Sequence, residues 1–143
     1  MSIQIKVSAL KDRRFKAPIT ALFASDQLNS DGSLKKDELK FVGLFRTVPD
    51  EEIRAHLEKI EALRKDPKTT AAQVMIESRE HIKSYFVGVE KHPSCDYPFL
   101  GDDGQPRESS PELVHELLAI KEIRDAVEDT YKNARDSDVL AKN

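Results

Sequence analysis

The sequence predicts an α+β fold, a small N-terminal antiparallel sheet followed by three to four helices. Three observations carry this. Apolar residues alternate with a period of two in stretches up to Arg46. From Pro49 the spacing lengthens to the helical period, with Ile53, Leu57 and Ile60 on one face. Helix-start signals then recur at Thr70 and Ser110. A chain of 143 residues fits a single domain, 1–143. Its β-rich part spans 1–48, its helical part 49–135, and a polar tail, 136–143, is expected to fray.

The first expected strand is Ile3, Ile5 and Val7 alternating with Gln4, Lys6 and Ser8. Lys11-Asp12-Arg13-Arg14 reads as its turn, and Phe15 to Ala24 as the second strand, with Pro18 placing it at an edge or a bulge. Asn29-Ser30-Asp31-Gly32-Ser33 is dense in turn formers. From Leu39 onward, Leu39, Phe41, Gly43 and Phe45 alternate with Lys40, Val42, Leu44 and Arg46, a strand in which Gly43 permits close backbone approach. Pro49 suits a first helical turn, and Asp50, Glu51 and Glu52 suit its positive end. Asp66-Pro67 stops this helix. Thr70 with Gln73 forms a capping-box pattern, and Met75, Ile82, Phe86 and Val89 mark a second, longer helix. Residues 91–109 read as a loop pinned to the core by Tyr97, Phe99 and Leu100. Ser110-Pro111 opens the last helical stretch, whose apolar face runs through Leu113, Leu117, Ile120, Ile123, Val127 and Tyr131.

Composition narrows the function classes. Charged residues make up 34% of the chain and hydrophobic ones 38%, too apolar a balance for a disordered chain. With no Trp, six Phe and three Tyr, a base-stacking platform is not expected. No apolar run approaches the roughly 20 residues of a membrane helix, and no signal-peptide apolar region is visible, so a soluble intracellular protein is expected. The single cysteine excludes an internal disulfide framework. Residues 1–48 hold 9 Lys/Arg against 5 Asp/Glu, whereas the net charge of the chain is −3. The basic run Lys6, Lys11, Arg13, Arg14 and Lys16 is short and interleaved only by Phe15, so a charged hairpin turn is favoured over a nucleic-acid footprint. Attraction to an acidic surface of a neighbouring copy is the third reading.

Two local patterns bear on metals. Gln27 to Glu38 resembles an EF-hand calcium loop: Asn29, Asp31, Gly32, Leu34 and Glu38 fall at positions 3, 5, 6, 8 and 12. Gln27 at position 1 and Lys35 at position 9 oppose it, leaving a calcium-responsive module as the alternative to a plain turn. His92 and Cys95 share an H-x-x-C spacing, but a closed zinc site needs four ligands and His56, His81 and His115 fall on separate expected helices. No phosphate-binding glycine loop, nucleophile elbow or H-E-x-x-H motif is present, and no catalytic residue, metal or cofactor is expected.

The order of segments resembles the tail assembly chaperones of long-tailed bacteriophages. Leu39 to Pro49 is similar to that family's strand of alternating aromatics ending in a basic residue before the first helix. Val87-Gly88-Val89-Glu90 is similar to its aliphatic-Gly-aromatic stretch closing a helix, with Val89 where Trp is often found. Phe99 through Asp102-Asp103-Gly104-Gln105-Pro106 to Ser110-Pro111-Glu112-Leu113 is similar to its acidic-Gly turn leading to a capped helix, and Ile120 to Tyr131 to its final helix. The resemblance implies a non-catalytic protein of the host cytoplasm that binds the tape-measure protein before the tail tube polymerises. It also implies self-association, with no nucleic-acid or membrane partner. A form extended by ribosomal frameshifting, for which codons across Ala141-Lys142-Asn143 could supply the slippery site, would add the tail tube protein as a partner. Phe99, Leu100, Val139 and Leu140, apolar outside the expected helices, are the candidate contact residues.

Overall fold

A computed structural model describes residues 2–135. A one-turn helix α1 (Val7–Leu10) precedes two long strands, β1 (Arg14–Leu28) and β2 (Leu34–Arg46). Helices α2 (Asp50–Lys65) and α3 (Ala71–Lys83) follow, then β3 (Phe86–Glu90), α4 (Pro111–Leu118) and α5 (Lys121–Arg135). The strands form one antiparallel sheet in the order β1-β2-β3, so the α+β class holds.

Alternation fixes which face of the sheet is buried. Phe15, Ala17, Ile19, Ala21 and Phe23 of β1 share a face with Phe41, Gly43 and Phe45 of β2, and Ala17, Ile19, Ala21, Phe41 and Phe45 are buried there. The two alanines keep that face shallow, and α5 lies on β1, its Ile123 and Val127 joining the same core as Ile82, Phe86, Val89, Leu117 and Leu118. Pro18 is on an edge strand, as its missing N–H requires. A Cβ at Gly43 would stand 2.5 Å from Ile19 Cδ1 and 2.8 Å from Phe45 Cε2, which is the close approach the sequence pointed to.

Both β-hairpin strands run further than their apolar alternation. β1 continues past Ala24 to Leu28, and β2 begins at Leu34 rather than Leu39, with Leu28 opposite Leu34 and an irregularity after Ala24. The turn between them is built by its polar residues. Asp31 accepts from Ser33 N (2.9 Å) and Ser33 Oγ (2.6 Å), Asn29 Nδ2 donates to Leu34 O (3.0 Å), and Gly32 takes a φ of 86°. An EF-hand loop is flanked by two helices, whereas Gln27 to Glu38 is flanked by strands on both sides, with Phe23 on β1 and Leu39 on β2.

The helix signals hold at their starts. Thr70 and Gln73 form the full capping box of α3, and Ser110 Oγ accepts from Leu113 N at the head of α4, with Pro111 in its first turn. Three expectations are corrected. Ile3 and Ile5 form no strand; they lie exposed before α1, and Val7, the third residue of the expected strand, begins that helix. The second helix does not continue through Phe86 and Val89. It ends at Lys83, and 86–90 pairs with β2 instead. Spacing alone is ambiguous there, and the β-branched residues with Gly88 favour the strand. Gly88 is needed because a Cβ would meet Ser109 Oγ at 2.7 Å and Leu44 Cδ1 at 3.0 Å. The final helical stretch breaks at Ala119–Ile120, leaving Ile120 exposed, and Arg124 donates to Leu118 O (3.0 Å) at the end of α4.

Gly43→Ala is expected to cost about 1–3 kcal/mol through overpacking against Ile19 and Phe45. A urea unfolding midpoint unchanged from the parent would contradict that close contact.

Candidate functional site

Helices α2 and α3 bring together a group of titratable side chains away from the sheet. His56 projects from α2 three residues after Ile53, and Glu77 and His81 project from α3 four residues apart, hence on one face. Glu77 is buried at 8% exposure, and both of its oxygens are partnered. His56 Nδ1 lies 3.3 Å from Oε1 and Lys59 Nζ 3.2 Å from Oε2. Such pairing is the condition for burying a carboxylate. The His56 and His81 rings lie 5.1 Å apart, and His81 meets Tyr85 edge-on at 5.7 Å. His81 Nδ1 is buried without a hydrogen-bond partner.

Behind these groups, Val48, Ile53, His81, Tyr85, Glu128 and Tyr131 line part of a cleft of about 400 Å³. Tyr85 stacks on Tyr131 with ring centroids 3.9 Å apart. Burial, then the Glu128 carboxylate, raises the Tyr85 phenol far above its ordinary value, so it stays protonated. Burial, followed by the nearby Asp125, raises the Glu128 carboxyl, and Arg124 opposes this. Burial, with His56 acting in the same direction and Glu77 against it, holds the His81 imidazole below its ordinary 6.5. The cluster ties α2 to α3. Among the described residues, no group of three or more His, Cys, Asp or Glu is placed to hold a metal ion.

The other residues singled out by sequence separate. The Cys95 thiol donates to Lys40 O (3.4 Å), while His92 Nδ1 accepts from Ser94 N (3.0 Å), so the H-x-x-C pair turns to different partners. His115 is exposed on α4. Phe99 is a core side chain at 8% exposure, edge-on to Phe41 at 5.0 Å, and is unavailable as a contact in the folded chain. Leu100 beside it is 55% exposed, and the contact candidates Val139 and Leu140 lie outside the described residues.

Sequence reasoning missed two features. One is the meeting of His56 with His81; the signal was present, since His56 is flanked by Ile53 and Ile60 at helical spacing and His81 precedes the buried Ile82. The second is the exposure of α2 and its partner. α2 has no buried residue, and Leu57 of α2 and Met75 and Ile76 of α3 are exposed at 54%, 47% and 58%. No helix among the described residues is long and apolar enough to cross a membrane. No protein-family model, curated protein or solved structure matches the chain.

Phe99→Ser should destabilise the chain by about 3–5 kcal/mol, the range for emptying a buried aromatic site, and Leu100→Ser by at most about 0.5 kcal/mol. Equal unfolding midpoints for the two would place Phe99 outside the core. The unfolded chain takes up a proton on His81 near pH 6.5 that the folded chain resists. Stability from this group is therefore lost as pH falls below about 6.5. His81→Asn should flatten the slope of unfolding free energy between about pH 7.5 and 5.5, and an unchanged slope would exclude His81 as its source.

Proposed function

We propose that this chain is a non-catalytic tail assembly chaperone that binds and solubilises a phage tape-measure protein in the host cytoplasm before the tail tube forms. One observation carries this reading. The α2–α3 hairpin keeps large apolar side chains in solvent, with Leu57, Met75 and Ile76 about half exposed or more and no buried residue in α2. A helical client with a polar face and an apolar face is matched by apolar positions at helical spacing, the helix-in-groove mode of recognition. Each contact is weak, and many copies along one long client convert weak contacts into firm retention. A chain with 34% charged residues keeps the coated client soluble.

The resemblance of Leu39–Pro49 and of Phe99–Leu113 to the chaperone family supports the same reading. Its partners are the tape-measure protein and, through a frameshifted long form, the tail tube protein. The calcium-responsive alternative has no comparable support, because its loop is a strand-to-strand turn whose Asp31 carboxylate is already bonded to Ser33.

Co-expression of the tagged chain with the tape-measure protein encoded in the same genome should yield a soluble co-purifying complex holding many copies of the chain per client. Leu57→Ser/Ile76→Ser should lower client recovery at least about threefold while leaving the circular dichroism spectrum and melting temperature near those of the parent, as surface changes do. A client that stays insoluble with both the short and the long form would sink the reading. Full recovery with the double variant would move the client to another surface.

A further inference from the structure

The sheet has a second face that the core does not use. The inward side chains of β1 pack beneath α5, while the outward ones, Arg14, Lys16, Pro18, Thr20 and Leu22, are all exposed. An antiparallel sheet that faces water ordinarily carries polar residues on that side. Here Pro18, Val42, Leu44 and Val87 form an apolar floor, the last three half-buried. Pro18 lies opposite Val42 and Lys16 opposite Leu44, so these side chains stand on one face. Val87 joins them beside Leu44, where the β2–β3 ladder slips by one residue.

Three adjoining clefts make this floor a groove. The first, about 410 Å³, is walled by Pro18, Val42, Glu90, His92 and Pro93. It shares Lys16 and Glu90 with the second, about 220 Å³, which runs over Leu44 to Val87. The second shares Val87 with the third, about 230 Å³, which ends against Pro111 and Val114. The groove follows β3. From Glu90 to Phe86 is roughly 13 Å at strand rise, a length that a helix spans in about nine residues. Its rim is basic. Arg14, Lys16, Lys83 and Lys91 line it, and among the described residues Glu90 is the one carboxylate there, both its oxygens held by Lys16 Nζ at 3.0 Å. Arg14 and Lys91 are exposed, and neither is in a salt bridge among the described residues.

Floor and rim together define the chemistry of an occupant. The apolar floor takes an apolar stripe, and the cations beside it take carboxylates. Nucleic acid is disfavoured, because the rings beneath the groove, Phe45 and Phe86, are buried and offer bases no stacking surface. We infer that the outward face of the sheet is a docking groove for an acidic amphipathic helix of a partner protein. The apolar stripe of that helix lies on Val42, Leu44 and Val87, and its flanking carboxylates meet Arg14, Lys16 and Lys91. The groove shares none of Leu57, Met75 and Ile76, so the inference does not depend on the tape-measure reading.

The probe is a fluorescein-labelled synthetic helix of about 14 residues, close to four turns, with leucines along one face and glutamates flanking them. Fluorescence anisotropy with the purified full chain should give a Kd of about 10–100 μM. The same peptide with serine for leucine, and another with lysine for glutamate, should each bind at least about tenfold more weakly, since apolar contact and charge are both required. Arg14→Glu/Lys91→Glu should weaken binding of the acidic probe at least about tenfold, and Val42→Thr about threefold, with melting temperatures near that of the parent. Arg54→Glu/Lys68→Glu, an equal change of charge away from the sheet, should leave the affinity unchanged. Amide chemical shifts on titration should move most at Lys16, Val42, Leu44, Val87 and Lys91. No binding up to about 1 mM, equal losses in the two charge-reversed variants, or shifts centred on α2 and α3 would each overturn the inference. So would an oligothymidine that binds more tightly than the probe, or a second copy of the chain that occupies the groove and excludes the probe.

Discussion

The aromatic packing around Phe45 is the contact on which the rest of the structure depends. Its ring is fully buried and lies 5.3 Å from Phe15, 5.6 Å from Phe86, 5.7 Å from Tyr131 and 6.5 Å from Tyr85. Those four partners come from β1, β3, α5 and the link between α3 and β3. One side chain of β2 therefore touches elements drawn from nearly the whole described chain. Offset and tilted rings at these separations contribute about 0.5–1.5 kcal/mol per pair beyond simple burial. Arg46, the next residue, extends the same joint with polar bonds. Its guanidinium donates to Ser84 O (2.7 Å) and Glu52 (2.9 Å), so the ends of α3 and β2 and the first turn of α2 meet at one fork.

The parts of the fold legible in the sequence are those set by local chemistry. Thr70 with Gln73, Ser110 with Pro111, and Asn29 to Ser33 each act through their own backbone, and each element begins or turns where those residues stand. Gly43 was legible for another reason, since a glycine between Phe41 and Phe45 on a buried strand has few uses other than making room. The misread parts were decided by partners far along the chain. Phe86 to Glu90 has helical spacing, and only the open edge of β2 makes it a strand. Ile3 and Ile5 have strand spacing, yet they pair with no strand of the sheet. The candidate cluster was hidden likewise: His56 and Glu77 are 21 residues apart, and pairing them requires the α2–α3 turn to place two helix faces together.

Stability is unevenly spread, and the spread bears on binding. The residues packed around Phe45, Phe41 and Leu118 are nearly inaccessible to solvent, while the outer part of the β1–β2 hairpin and the whole of α2 bury little. The charges of helix α2 add to its partial packing on α3. Asp50, Glu51 and Glu52 sit at its positive end, Arg64 and Lys65 at its negative end, and Glu61 pairs with Lys65 one turn on. Such a helix needs little of the core: Ile53 packs against it, Ile60 and Leu63 are half-buried, and Leu57 stays exposed.

That arrangement separates two demands that ordinarily conflict. A surface that binds apolar client segments must present apolar groups to water, yet a helix is normally held in place by burying those groups. Here the Glu77 carboxylate, gripped by His56 and Lys59, supplies a directional tie between α2 and α3. An unpaired carboxylate at that depth would be costly, so separating the helices would strand it or require water to reach it. The tie is thus strongest where the apolar packing is thinnest. Polar chemistry adds to the partial packing that positions α2, and its exposed Leu57 is available to the client contact proposed for the α2–α3 hairpin.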